Sequence, residues 1–237
     1  MGSALDIRPY DPLAIAGLLN SQLSQAVKHN GEAVLAIPGG RSPGPVLTAL
    51  AKTMDSKALE STALIWLDER WVPAGHPDRN DIPTLQAWER GGELPGMVLP
   101  MPAANLFPDP EEAATWYSHT LTDLLGPDPF LDAAFIGIGE DGHFASLFPD
   151  HPGLTAEGLV FVCHNSPKPP DTRLSLTLSL IRNTDLKVVL ALGREKGSIL
   201  RAALDKPGPH FPISLMFDDP SVVFFLDSEA MAAMGVS

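Results

Sequence analysis

Ala33-Val34-Leu35-Ala36-Ile37-Pro38-Gly39-Gly40-Arg41-Ser42-Pro43 holds five consecutive apolar residues, a glycine turn and a proline. An apolar run without polar alternation reads as a strand covered on both faces, the signature of a parallel sheet. Ser42 followed by Pro43 reads as a cap and first turn, opening a helix that runs to about Met54. The segment is therefore a strand-loop-helix unit, and the same unit recurs on either side of it. Asp11-Pro12 opens a helix to about Lys28, with Leu13, Ala16, Leu19, Leu23 and Val27 at helical spacing. Leu64–Leu67 reads as a second strand, ending in the charged run Asp68-Glu69-Arg70. Ala133–Gly137, Leu159–Cys163, Lys187–Leu192 and Val222–Leu226 read as further strands, while Asp109-Pro110 opens a helix to about Leu125 and Arg194–Leu204 reads as another. Between Pro73 and Pro108 the chain is rich in Pro, Gly and polar residues, and one helix is expected there, over Thr84–Arg90. Strands alternating with helices predict an α/β fold: a mostly parallel sheet layered between helices, Rossmann-like, in one domain over residues 1–237.

In such sheets ligands sit beyond the carboxyl ends of the strands, which directs attention to residues 38–42, 68–80, 139–143 and 193–196. Gly40-Arg41-Ser42-Pro43-Gly44 matches the G-x-S-x-G nucleophile elbow, but the residue after the serine must donate its N–H to an oxyanion, and Pro43 has none. Two compatible roles remain for Ser42. It caps the helix, or it joins Gly39 and Gly40 in presenting donors to an anion at the positive helix end. Gly137-Ile138-Gly139-Glu140-Asp141-Gly142 matches G-x-G-x-x-G. Glu140 and Asp141 would crowd the pyrophosphate, however, and Leu159–Cys163 does not end in the acid that a ribose requires. A dinucleotide is not expected.

The chain has 237 residues, with 16 Lys+Arg against 29 Asp+Glu, a net charge of −13 and a pI near 4.8. A nucleic acid or an anionic membrane needs a cationic footprint, so neither is an expected partner. Met1–Tyr10 carries Asp6 and Arg8 and no apolar run, and no run approaches the ~20 residues of a membrane span. With Cys163 the single cysteine, no internal disulfide forms and a cytoplasmic setting is expected. The charge is uneven: residues 83–165 hold 1 basic and 12 acidic residues, whereas 166–206 hold 8 and 4. The basic segment reads either as solvated helix faces or as the local pocket of an anion.

Asp141-Gly142-His143 places an imidazole in a glycine loop at a strand end, suited to general base work near neutrality or to hydrogen bonding alone. The other six histidines and Cys163 show no metal-ligand spacing. Arg70 and Arg173 are candidate oxyanion or hydroxyl holders, and Lys196 sets a cation beside helix N–H donors.

Together, Pro38-Gly39-Gly40-Arg41-Ser42-Pro43, Trp66-Leu67-Asp68-Glu69-Arg70-Trp71-Val72-Pro73, Gly137 to Pro149, Arg173-Leu174-Ser175-Leu176-Thr177 and Gly193-Arg194-Glu195-Lys196 resemble, in order, the 6-phosphogluconolactonases of the glucosamine-6-phosphate deaminase-like group. The resemblance covers about residues 9–230. It implies the glucosamine-6-phosphate deaminase/ribose-5-phosphate isomerase/CoA-transferase-like fold. It also implies hydrolysis of 6-phospho-D-glucono-1,5-lactone in the oxidative pentose phosphate pathway, without a metal or other cofactor. On that resemblance His143 activates the water, and Gly39, Gly40, Arg41, Ser42, Arg70, Arg173 and Lys196 hold phosphate and sugar oxygens. Asp68 and Asp141 position or polarise their neighbours. The partner is a phosphorylated sugar lactone, and the protein is a monomer or small homo-oligomer. Three positions depart from the family pattern: Phe144 replaces the usual Thr, Arg41-Ser42 stands for Ser-Thr, and Asp78-Arg79-Asn80 stands for Asp-Ser-Asn, where Arg79 either adds a phosphate contact or changes affinity.

Two other functions compete. A glucosamine-6-phosphate deaminase-like isomerase would continue the His motif toward Ala-Phe-Asn-Glu-Pro, but here it runs Ala145-Ser146-Leu147-Phe148-Pro149, without the Glu. A non-catalytic sugar-phosphate sensor would usually carry a basic DNA-binding helix, which is absent from the sequence.

Overall fold

The apolar runs assemble into one twisted layer that carries every candidate loop on its rim. The structure is a computed structural model describing residues 5–236; residues 1–4 and 237, the two ends of the expected domain, lie outside the described residues. In chain order the elements are β1 (Asp6–Pro9), α1 (Pro12–Asn30), β2 (Ala33–Ile37), α2 (Gly44–Thr53), α3 (Ser56–Glu60), β3 (Thr62–Trp66), β4 (Asp68–Arg70), α4 (Asp81–Glu89), β5 (Met97–Leu99), α5 (Pro110–Leu125), β6 (Leu131–Gly137), β7 (Val160–Cys163), β8 (Arg173–Leu176), α6 (Leu178–Arg182), β9 (Thr184–Ala191), α7 (Arg194–Asp205), β10 (Val222–Leu226) and α8 (Ser228–Met234). Seven strands pair in the order β1-β10-β9-β6-β2-β3-β5, and every pairing is parallel.

Successive side chains on a strand point to opposite faces, so each apolar run feeds two cores. Leu35, Ile37, Leu64, Trp66, Phe135, Val188 and Phe225 meet α1, α2 and α4 on one face. Ala36, Ile65, Ile136, Val189 and Phe224 meet α5, α7 and α8 on the other. Burying each large apolar side chain contributes about 1.5–3 kcal/mol. This explains why residues 33–37 are apolar throughout rather than alternating.

Four expectations are corrected. Val160–Cys163 does not join the parallel sheet: it pairs antiparallel with β8, which pairs antiparallel with β4, forming a separate three-stranded sheet. Its Phe161 and Val162 are only half-buried, whereas a central strand is buried on both faces. Two edge strands, β1 and β5, lie where none was expected; edge strands are short and tolerate the charges and prolines that obscure them in sequence. The helix expected over 84–90 begins at Asp81, because the turn before it is clamped by buried side chains described below. Finally, Ser42 makes no capping bond, since α2 starts at Gly44 behind Pro43.

The caps at Asp11 and Asp109 form as the sequence indicates. The Asp11 carboxylate accepts from the backbone N–H groups of Leu13 (2.9 Å) and Ala14 (3.3 Å), and Asp109 accepts from Glu112 (2.8 Å). Replacing Asp11 with Ala is expected to lower unfolding stability by about 1 kcal/mol, read as a shift of the urea midpoint at constant slope.

Candidate active site

Because the central strands run parallel, the loops after β2, β3, β6 and β9 all open on the same rim. There they enclose a cavity of about 230 Å³ lined by Gly39, Gly40, Ser42, Asp68, Arg70, Asn80, His143, Arg173 and Lys196, among others. This is below the roughly 300–1,000 Å³ of drug-sized pockets and suits one small molecule rather than a dinucleotide. The lining is dominated by donors, three of them cationic, in a protein of net charge −13.

The wall contributed by the loop after β6 carries the imidazole. Gly139 N–H donates to the His143 carbonyl at 2.8 Å, closing a tight loop. A Cβ at Gly139 would lie 2.0 Å from His143 Cε1 and 2.1 Å from Nδ1, so the ring takes the space that only glycine leaves free. Asp141 lies behind His143 and outside the cavity lining, and its Oδ1 is in short hydrogen-bond contact with Nδ1. Burial alone would raise the Asp141 carboxyl. The His143 ring and backbone N–H together with the Lys168 charge outweigh it and hold Asp141 down at about 2. The pair therefore stabilises the fold above the ordinary carboxyl value of 3.8, and that contribution is lost as pH falls through about 2. An ionised carboxylate only accepts, so Nδ1 carries the proton and the neutral ring is the tautomer whose lone pair lies on Nε2. Phe148 packs on the imidazole, ring centroids 4.5 Å apart.

The facing wall is built on β4. Strand alternation turns Asp68 and Arg70 toward the cavity and Glu69 away from it. Buried Asp68 accepts from Ser146 Oγ (2.6 Å) and from Asn80 Nδ2 (3.2 Å), with Arg173 Nη1 at 3.7 Å. Asn80 also donates to the Asp68 carbonyl at 2.9 Å, and it fills the place where a Cβ at Gly39 would sit, 1.8 Å from Oδ1. Arg173 lies over the Phe148 ring at 5.4 Å and donates to the Lys168 carbonyl at 3.0 Å. Burial lowers its pKa, Asp68 opposes that, and Arg70 adds to it. Lys196, in the first turn of α7, is lowered by burial and by Lys168 against the pull of Glu140.

Of the ten candidate residues, the cavity brings together Gly39, Gly40, Ser42, Asp68, Arg70, His143, Arg173 and Lys196. Arg41 is exposed and does not line it. Arg79 is 3% exposed and points away, with Nε to Asp81 (2.8 Å) and Nη2 to the Met101 carbonyl (2.8 Å); it offers no phosphate contact. Phe144 is buried in the core, so an apolar anchor stands where the family has Thr. Sequence reasoning missed Asn80, Ser146 and Phe148. Asn80 lies inside the flagged 68–80 loop, but only its contact with Gly39 sets it apart. The Cys163 thiol is buried, and burial pushes it up to about 11 against Arg173, which disfavours a thiolate nucleophile. Among the described residues no three His, Cys, Asp or Glu gather to hold a metal ion.

The Asp141 contact fixes a tautomer, and Asp141→Asn removes the obligate acceptor. At pH 8, ¹⁵N spectra are expected to show His143 protonated on Nδ1 in the wild type and a growing Nε2–H population in the variant. Identical spectra would refute the assignment.

The profile described as glucosamine-6-phosphate isomerases/6-phosphogluconolactonase matches residues 13–224. A 6-phosphogluconolactonase of Streptomyces coelicolor is 35% identical over 82% of this chain and 79% of its own, and one of Synechocystis is 30% identical over 90% and 89%. The crystal structure of a 6-phosphogluconolactonase from Shewanella baltica superposes with a TM-score of 0.81 at 26% identity, covering 96% of this chain and 100% of that one. A monomeric glucosamine-6-phosphate deaminase shares the fold, with a TM-score of 0.74 at 17% identity over 97% of this chain and all of its own. With the profile covering residues 13–224 and relatives at 35% and 30% identity over most of both chains, the chain belongs to the glucosamine-6-phosphate isomerase/6-phosphogluconolactonase family.

Proposed function

We infer that this protein hydrolyses 6-phospho-D-glucono-1,5-lactone to 6-phospho-D-gluconate, the lactonase step of the oxidative pentose phosphate pathway. The observation that carries this reading is an imidazole held by an ionised Asp141 at the rim of a small cavity whose other polar groups are mostly donors. The similarity to lactonases at 35% and 30% identity supports the substrate.

In this mechanism His143 Nε2 takes a proton from water as the water oxygen attacks the lactone carbonyl. The carbonyl π electrons move to oxygen, where nearby cations and N–H donors stabilise the charge. Collapse of the tetrahedral intermediate re-forms the carbonyl and breaks the bond to the ring oxygen, which leaves as a hydroxyl after taking the proton from His143. The new carboxylic acid then loses its proton to water. Asp141 holds the imidazole in register and stabilises its transient charge. Arg70, Arg173, Lys196, Gly39, Gly40 and Ser42 take the phosphate and sugar oxygens, and Asp68 accepts from sugar hydroxyls or holds Arg173. Ser42 serves here as a free hydroxyl, a role supported by its lack of a capping bond. No metal or cofactor enters this scheme.

We take residues 1–237 as a single lactonase domain acting in the cytoplasm as a monomer or small homo-oligomer, without a nucleic-acid or membrane partner. Support comes from the acidic balance and single cysteine and from the finding that no described helix is long and apolar enough to cross a membrane.

The test is a proton-release assay on freshly generated lactone, with spontaneous hydrolysis subtracted. His143→Ala is expected to lose about 10²–10⁴-fold in kcat, the range of one general base. Lys196→Ala is expected to raise KM about tenfold with a smaller change in kcat, by loss of a charge-assisted contact. Wild type without acceleration over the spontaneous rate would sink the lactonase reading.

A further inference from the structure

The cavity wall formed by Arg70 and Asn80 rests on a carboxylate that never reaches the cavity. Glu69 is 1% exposed, on the far side of β4. Its Oε1 accepts from the backbone N–H groups of Arg70 (2.8 Å) and Asn80 (2.6 Å). Its Oε2 accepts from the N–H of Asp81 (3.1 Å) and lies 3.4 Å from Arg79 Nη2. One side chain thus gathers both ends of the 71–80 loop and the start of α4. Arg79, where the family pattern has Ser, supplies the cation and is itself tied to Asp81 and to the Met101 carbonyl. Above this hub, Arg70 Nη1 donates to the Asp78 carbonyl at 2.7 Å, and the Asn80 side chain, 2% exposed, bridges Asp68 and the Gly39 loop.

We propose that Glu69 is a positioning residue for substrate binding: by collecting the N–H groups of Arg70, Asn80 and Asp81 together with Arg79, it fixes Arg70 and Asn80 against the glycine loop that receives the phosphosugar. The inference rests on the lactonase reading. A buried carboxylate with four donors is costly to disturb, because each donor left unpaired keeps its desolvation penalty.

The hub also carries its own titration. Burial pushes the Glu69 carboxyl up to about 7, against the Arg79 charge and the backbone N–H groups of Asn80 and Arg70, and with a further upward push from Asp81. Tyr117 of α5 faces it as a neutral phenol, itself pushed up by burial and by Glu69. Above this value Glu69 is anionic and accepts from all four donors. Below it one oxygen becomes a hydroxyl, which turns an acceptor into a donor and discharges the pair with Arg79. Stability contributed by the protonated form is present below the ordinary 4.5 and is lost as pH rises through about 7, while the clamp tightens over the same interval.

The experiment compares wild type, Glu69→Gln and Arg79→Ser in the lactone assay from pH 6 to pH 8, with calorimetric Kd values for 6-phosphogluconate, at a temperature well below each Tm. Glu69→Gln is expected to raise KM and Kd about tenfold at pH 8, as when buried charge-assisted bonds are lost, with kcat changed less than about twofold. The KM ratio of variant to wild type should fall toward one at pH 6, and the substrate's own phosphate titration cancels in that ratio. Arg79→Ser leaves Glu69 without its cation, so the KM transition should move to higher pH; this variant keeps the test open should Glu69→Gln fail to fold. A Glu69→Gln variant whose KM and Kd equal those of wild type at pH 8, or a loss confined to Tm, overturns the proposal. A wild type that neither accelerates hydrolysis nor binds 6-phosphogluconate would instead overturn the lactonase reading.

Discussion

Burial of the Asp68 carboxylate is the constraint on which the rest of the site depends. An ionised carboxylate withdrawn from water is tolerable only when donors surround it, and those found here come from three separate parts of the chain. Ser146 follows the His143 loop, Asn80 precedes α4, and Arg173 opens β8. Satisfying one charge therefore docks the small antiparallel sheet and two loops onto the rim of the parallel sheet. Ser146 is in turn fixed through its N–H by Ser175 Oγ at 3.3 Å. The same carboxylate also lies 3.7 Å from Arg173 and opposes part of its charge.

The second constraint is steric. Two side chains of the site occupy volume that a Cβ would claim: the His143 ring at Gly139 and the Asn80 amide at Gly39. These contacts account for glycine at positions 39 and 139 without a dinucleotide. The glycines let protein side chains approach the backbone closely, which is a different service from admitting a pyrophosphate. The charge distribution follows the same geometry. Acids crowd residues 83–165, yet the cations of the cavity come from outside that stretch: Arg70 on β4, Arg173 on β8 and Lys196 on α7. A net charge of −13 weakens attraction for large polyanions, while three cations in the cavity leave one small anion a local partner.

The parallel layer was legible because buried strands announce themselves: Ala33–Ile37 and Val222–Leu226 appear at those bounds, and Asp11 and Asp109 mark their helices by capping chemistry. The positions of the four loops followed from strand direction alone. What could not be read were features decided by partners distant in sequence. Asp68-Glu69-Arg70 is a charged run whose strand character exists only because β8 pairs with it and because Glu69 finds four buried donors. Leu159–Cys163 was visible as a strand but not as a member of a second sheet, since a short apolar run carries no record of its neighbours. Arg79 read as a phosphate ligand on charge alone. Its burial against Glu69 and Asp81 depends on a turn that the sequence does not display.

The distinction between a lactonase and a deaminase turns on a single place in this architecture. Set beside the deaminase pattern Ala-Phe-Asn-Glu-Pro, the segment Ala145-Ser146-Leu147-Phe148-Pro149 puts Phe148 where the relative has its glutamate. In the structure that ring is 1% exposed, packs on His143 at 4.5 Å and lies beneath Arg173 at 5.4 Å. A carboxylate there would add a second acid beside the imidazole, the kind of group needed to move protons on carbon. An aromatic ring cannot exchange protons, but its negative face favours a cation, both the standing charge of Arg173 and, in the proposed mechanism, the imidazolium of His143. Asp141 is then the carboxylate in hydrogen-bond contact with His143. One base with one orienting acid is what hydrolysis of an already reactive ester requires. The shared fold thus does not separate the two chemistries; in the proposed mechanism the aromatic side chain packed on the imidazole favours hydrolysis.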